Sequence, residues 1–142
     1  MNKLTAVLDL DRMVTIGAQI GTGKDLPAYI DDMATRGVLS YTTFVADGHT
    51  EKQLIPLVKL EHQTLAYVAD LIPSVAHLPL AYVASYDVRP LVAMTEKERF
   101  LKEALAKDWT LFFEHDPVHE TCRLMQTEKG IRARASGFLT SI

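Results

Sequence analysis

Three groups of polar side chains stand where apolar runs break off. Asp47, Gly48, His49 and Thr50 follow a run that ends at Ala46, Asp70 closes the run 64–69, and Glu114, His115 and Asp116 close the run 110–113. A strand holds its last residues rigidly, so three strand ends at one sheet edge would bring these groups together. Imidazole nitrogen and carboxylate oxygen suit a borderline cation such as zinc, and a carboxylate has two oxygens with which to bridge a pair of ions. The same residue types also have a plainer use. A loop histidine makes hydrogen bonds, and an aspartate caps a turn. On residue type and spacing alone the two readings stand level.

The elements that must position these groups are read from periodicity. Val38 to Ala46 is rich in β-branched and aromatic residues and reads as a strand. Leu54 to Leu60 and Thr64 to Ala69 read as two more, paired as a hairpin across Glu61, His62 and Gln63. Residues 70–93, with three prolines, read as a long loop of the kind that tends to be functional in compact domains. The clearest helix is 95–107. Thr95 and Glu98 form a capping box, Phe100, Leu101, Ala104 and Leu105 share a face, and Glu98–Lys102 and Glu103–Lys107 are i,i+4 pairs. Thr110 to Glu114 is a short strand. Cys122 to Thr127 and Ile131 to Leu139 alternate around Glu128, Lys129 and Gly130, which predicts a hairpin with Gly130 at positive φ. Upstream, 4–10 reads as a strand, 17–24 as a loop, and 26–36 as a short helix between Asp25 as N-cap and Gly37 past its end. The expectation is one domain over 1–142, α+β, with mostly antiparallel strands.

The segment from Asp47 to Pro117 resembles a bacterial branch of the metallo-β-lactamase superfamily. The residues that carry the resemblance are GHT at 48–50, ADLIPSVAH at 69–77, YDVRPL at 86–91, EKERFL at 96–101 and LFFEHDP at 111–117. GHT alone is a weak signal. The DLIP, H, YD and PL string followed by FFEHD is quite specific, and the matched segments span about half of the chain. The resemblance implies the C-terminal half of an αββα sandwich, in which two sheets pack face to face with flanking helices. It also implies a zinc hydrolase with a two-metal site at one edge. His49 matches the third histidine of the first metal site, Asp70 the carboxylate that bridges both ions, and His115 the last histidine of the second. The implied chemistry is attack by metal-activated water. His77, Tyr82, Tyr86 and Asp87 fall in the loop that the family sets beside its pocket. His77 lines that pocket or holds the loop, Asp87 is a turn residue or an arginine partner, and the two tyrosines face substrate or cover core.

The sequence also departs from the family. The His-x-His-x-Asp-His run that supplies the other ligands is absent, and histidine occurs only at 49, 62, 77, 115 and 119. Complete members are roughly twice this length, more than a single short domain. Each metal would keep one histidine and a share of Asp70, against the three protein ligands of a catalytic zinc site.

Composition excludes other classes. The net charge of −3 and scattered basic residues argue against nucleic acid. No apolar run approaches the roughly 20 residues of a membrane span. Asp9 interrupts what a signal peptide would keep apolar. Cys122 is the single cysteine, which fits a reducing compartment such as the cytoplasm; in an alternating strand it reads as a small buried apolar residue. GAQIGTGKD at 17–25 misses a phosphate-binding loop, with Ala18 at the first glycine position and Asp25 in place of the magnesium-holding hydroxyl. What the resemblance implies, taken with the absent ligand run, is a truncated or split metallo-β-lactamase-fold hydrolase, incomplete alone, acting on a small molecule once joined by an N-terminal half or a second copy. The alternative is a non-catalytic remnant or a small binding module that oligomerises through the half-sandwich.

Overall fold

A computed structural model describes residues 40–138. The strand expected at 4–10, the loop at 17–24 and the helix at 26–36 lie outside the described residues. The elements are β1 (Ser40–Ala46), β2 (Gln53–Lys59), β3 (Thr64–Tyr67), α1 (Pro90–Ala106), β4 (Thr110–Phe112), β5 (Thr121–Thr127) and β6 (Gly130–Gly137). The six strands form one sheet in sequence order. Every neighbouring pair is antiparallel except β3 and β4, which run parallel. A parallel pair needs a crossover, and residues 68–109, with α1, provide it. β1 and β3 flank the antiparallel β2, so they point the same way, and β4 follows β3. The C-terminal ends of β1, β3 and β4 therefore leave the sheet at a common edge.

The fold is α+β, with α1 against one face of a mostly antiparallel sheet. The central strands are apolar nearly throughout: in β3 only Thr64 is partly exposed, and β4 is fully buried. Ala93, Phe100, Leu101 and Ala104 recur at the helical period and form the buried face of α1. Phe100 meets Phe44 edge-on at 5.3 Å between ring centres and Trp109 at 5.8 Å. Cys122 is buried between β4 and β6, and burial, with the charge of Asp116, pushes its thiol up to about 12, so it is inert at neutral pH.

Several boundaries differ from the sequence expectation: β3, expected to run to Ala69, ends at Tyr67, and two further shifts bear on the site. The helix starts at Pro90 and not at Thr95. Proline at the first helical position has its φ already set and no N–H to leave unpaired, so here it begins a helix. Thr95 therefore sits inside α1, its hydroxyl donating to the Leu91 carbonyl, and no capping box forms. The strand expected to reach Glu114 ends at Phe112. Gly130 does adopt positive φ, at 92°, and the Glu98–Lys102 and Glu103–Lys107 pairs both close at 2.6 Å. No helix among the described residues is long and apolar enough to cross a membrane.

One member of the buried face of α1 is charged. Lys97 is 1% exposed. Its amine donates to the carbonyls of His77 at 3.1 Å, Pro79 at 3.0 Å and Tyr82 at 2.6 Å. Those three acceptors make the burial tolerable and tie the crossover loop to the helix. Burial lowers the amine from 10.5 to about 8, against the opposing pull of Asp87. The unfolded chain thus still holds this proton in a window where the folded chain has released it, so Lys97 adds stability as pH rises through that window. In urea unfolding, the stability of the native chain relative to a Lys97→Met variant should grow between about pH 8 and 10.5; a flat difference would mean that the amine stays charged throughout.

A second packing constraint joins the loop after β1 to α1. A Cβ on Gly48 would lie 2.2 Å from the Ala93 nitrogen and 2.3 Å from its Cα, so any side chain there must push helix and loop apart. We expect Gly48→Ala to cost about 3 kcal/mol as an overpacking change. Gly130→Ala, which meets only backbone strain, should cost about 1–2 kcal/mol. Denaturant titration of both variants checks the order; equal losses would mean that α1 shifts freely.

Candidate functional site

The first site loop is held almost entirely through its backbone. The Glu96 carboxylate on α1 accepts the Asp47 amide at 2.9 and 3.0 Å and the Gly48 amide at 2.9 Å. The Arg89 amide donates to the Gly48 carbonyl at 2.8 Å, the Val88 amide to the His49 carbonyl at 3.2 Å, and Arg89 Nε to the Asp47 carbonyl at 3.0 Å. The Asp47 side chain closes its own turn by accepting the Lys52 amide at 2.9 Å. These contacts fix the backbone from which His49 projects.

Asp70 is presented differently. The Val68 amide extends the parallel pairing by donating to the Phe112 carbonyl at 3.0 Å. Ala69 then takes φ 43°. For a residue with a Cβ this left-handed turn costs about 1–2 kcal/mol, and it persists where surrounding packing imposes it. The turn puts Asp70 in a short 3-10 turn, Ala69–Leu71, at the edge where β1 and β4 also end.

There the three residues singled out as ligands come together. Asp70 Oδ2 lies 3.5 Å from His49 Nε2, and its other oxygen, Oδ1, lies 3.1 Å from His115 Nε2. His49 uses its second nitrogen as well, with Nδ1 3.0 Å from Asp87 Oδ1. Asp87 is 4% exposed against 28% for Asp70, so it is the buried support and Asp70 the group open to solvent. If Nδ1 donates its proton to Asp87, the Nε2 lone pair faces Asp70, an arrangement that calls for a cation or a proton between them.

Around this row stand further acids. His115 Nε2 lies 3.9 Å from Glu114 Oε2, and Glu114 accepts the Tyr67 hydroxyl. The Tyr67 phenol is raised by burial first, then by that hydrogen bond and by the charges of Glu114 and Asp70. Asp116 accepts the amides of Val75 at 2.9 Å, Val118 at 2.9 Å and His119 at 2.7 Å, tying the loop after β4 to the crossover. Burial alone would raise its carboxyl, but those amides and the charge of His119 outweigh burial and hold it low.

The four loop residues separate. Asp87 and Tyr86 both touch His49; the Tyr86 ring meets its imidazole edge-on at 5.5 Å and is itself 57% exposed. His77 turns to Ser74, Nδ1 to Oγ at 2.8 Å, and Tyr82 is an exposed side chain whose carbonyl serves Lys97. Sequence reading missed Glu96 and Lys97. The signal for Lys97 was its phase, since it shares a helix face with Ala93, Phe100, Leu101 and Ala104. Glu96 carries no such mark, because its partners lie 48 and 49 residues away.

The donor set can be tested against zinc. Bonds of about 2.0–2.2 Å at the tetrahedral angle put two ligand atoms about 3.4 Å apart. His49 with Asp70 and His115 with Asp70, at 3.5 and 3.1 Å, each fit one edge of such a shell. Each edge supplies two donors where a catalytic zinc has three from protein. Among the described residues no group of three or more His, Cys, Asp or Glu side chains could hold one metal ion. The residues present therefore fit parts of two metal shells and complete neither.

No protein-family model and no curated protein matches the chain. Solved structures do. A probable metal-dependent hydrolase from Staphylococcus aureus matches with a TM-score of 0.62 and 21% identity, over 71% of this chain and 36% of that one. AidC, a dizinc quorum-quenching lactonase solved with a homoserine product, matches at 0.60 and 24% identity, over 69% and 34%. The hydrolase AbOPH of the β-lactamase superfamily matches at 0.59 and 14% identity, over 68% and 34%. The chain thus shares the fold of metal-dependent hydrolases of the β-lactamase superfamily and spans about a third of their length.

Proposed function

We propose that this chain contributes part of a two-metal hydrolase centre, with His49 and His115 each on one ion and Asp70 bridging them. The observation that supports this reading best is the Asp70 carboxylate, with an imidazole Nε2 beside each of its oxygens at 3.5 and 3.1 Å. The likeness to hydrolases, one of them a dizinc lactonase, agrees with it. Zinc suits the mixed nitrogen and oxygen donors. The remaining ligands would come from a complementing N-terminal half that carries the His-x-His-x-Asp-His run. Bound there, zinc would supply Lewis-acid polarisation of the scissile carbonyl or phosphoryl group of a small molecule.

The chain's own residues do the positioning. Asp87 holds His49 Nδ1 so that Nε2 turns to Asp70. Glu114, itself held by Tyr67, flanks His115. Tyr86 packs at right angles to the His49 ring and leaves ring surface for a substrate. We assign the protein to the cytoplasm on the same reading, since a lone buried cysteine asks for no oxidising compartment.

A second reading rests on a separate observation. Phe44 faces α1, so its strand neighbour Val45, and Leu54 paired across from it, point to the opposite side of the sheet. Both are open to solvent, at 44% and 49%. An uncovered apolar area on a sheet face favours association. On this reading the chain is a non-catalytic module that pairs with a copy of itself.

Zinc-supplemented protein should turn over ester, lactone, lactam and phosphodiester substrates no faster than a His49→Ala/His115→Ala double variant. Adding the N-terminal half should bring zinc uptake, by elemental analysis, and turnover that the double variant lacks. Activity of the chain alone well above that variant would overturn the incomplete-site reading, and a complemented pair that takes up no zinc would sink the metal reading. Light scattering at micromolar concentration separates the second reading: a dimer without zinc uptake supports it, and a monodisperse monomer removes it.

A further inference from the structure

A cavity of about 250 Å³ lies between α1, the β5–β6 hairpin and the crossover loop near Leu78 and Leu80. It shares no lining residue with the candidate site. Its apolar lining is Leu78, Leu80, Leu101 and Ile131, and Leu78 and Leu101 are almost wholly buried. Its charged lining is Lys102, Lys129, Arg132 and Glu98, three positive against one negative, a local balance of +2 on a chain whose net charge is −3. Glu98 is engaged by Lys102 at 2.6 Å. Arg132 and Lys129 have no acidic partner among the described residues. The guanidinium makes one hydrogen bond, from Nη1 to the Ile131 carbonyl at 2.7 Å.

An apolar pocket with two uncommitted cations beside it selects for a ligand that is apolar at one end and anionic at the other. A bare inorganic anion would leave the leucines unused, and a neutral hydrocarbon would leave the cations unused. The volume equals roughly eight waters at about 30 Å³ each, the scale of a medium-length alkyl chain. A guanidinium matches a carboxylate through two parallel hydrogen bonds. We infer that this cavity binds a medium-chain carboxylate, its alkyl chain against Leu80 and Ile131 over a floor formed by Leu78 and Leu101, and its carboxylate paired with Arg132 and Lys129.

Octanoate titrated into the full chain, followed by amide NMR, tests the inference. Saturable shifts at Leu101, Gly130 and Ile131 are expected, with half-saturation below about 1 mM. Octanol, which lacks the charge, should bind at least about tenfold more weakly, and Arg132→Ala should weaken octanoate by a similar factor. If circular dichroism finds Arg132→Ala unfolded, Lys129→Ala, at an exposed turn position, carries the same comparison. Octanol binding as tightly as octanoate, or no saturable shift at those amides, overturns the inference.

Discussion

Glu96 can take the amides of Asp47 and Gly48 only because Gly48 has no side chain to hold the loop off Ala93. The rest of the site geometry depends on that approach. It presses the loop after β1 against the first turns of α1, where the Val88 and Arg89 amides can reach the His49 and Gly48 carbonyls. It thereby brings Asp87 within reach of His49 Nδ1. Lys97, the next residue along, holds the other end of the crossover through three carbonyls. Two adjacent charged residues on one helix thus tether both loops, one as acceptor and one as donor.

The electrostatics of the edge follow from the same convergence. Asp87, His49, Asp70, His115 and Glu114 form an unbroken row of contacts between acids and imidazoles. Three carboxylates face two imidazoles, so even with both imidazoles charged one negative charge is left over. A folded protein that gathers acids this closely gains from any cation that joins them. The two ends of the row are treated differently: Asp87 is buried and serves one histidine, while Asp70 is partly open and serves two. Asp70 thus has both oxygens engaged while part of its carboxylate stays open to solvent.

Sheet topology explains why the convergence occurs at all. β1, β3 and β4 run in one direction, and β3 and β4 are joined in parallel by the crossover. Three loops therefore leave the same edge, although the residues they carry are spread from 49 to 115 along the chain. The strained turn at Ala69 then aims Asp70 into the space between the two histidines.

Local order was legible in the sequence because neighbours in the chain decide it. Alternation marked the strands, the apolar phase and the Glu–Lys pairs marked the body of α1, and a glycine between two alternating runs marked the turn at Gly130. The first turn of α1 was not legible, because Pro90 reads equally as the end of a loop or the start of a helix, and contacts of Arg89 and Ala93 with the β1 loop decide between them. Nor could spacing show that Asp87 would support His49, 38 residues away, or that Glu96 and Lys97 would turn inward. His49, Asp70 and His115 stood out by type and by resemblance, but their approach to within 3.5 Å is a property of the sheet. Periodicity encodes which face of an element is apolar; which element meets that face depends on strand direction and on where a missing side chain lets two backbones touch.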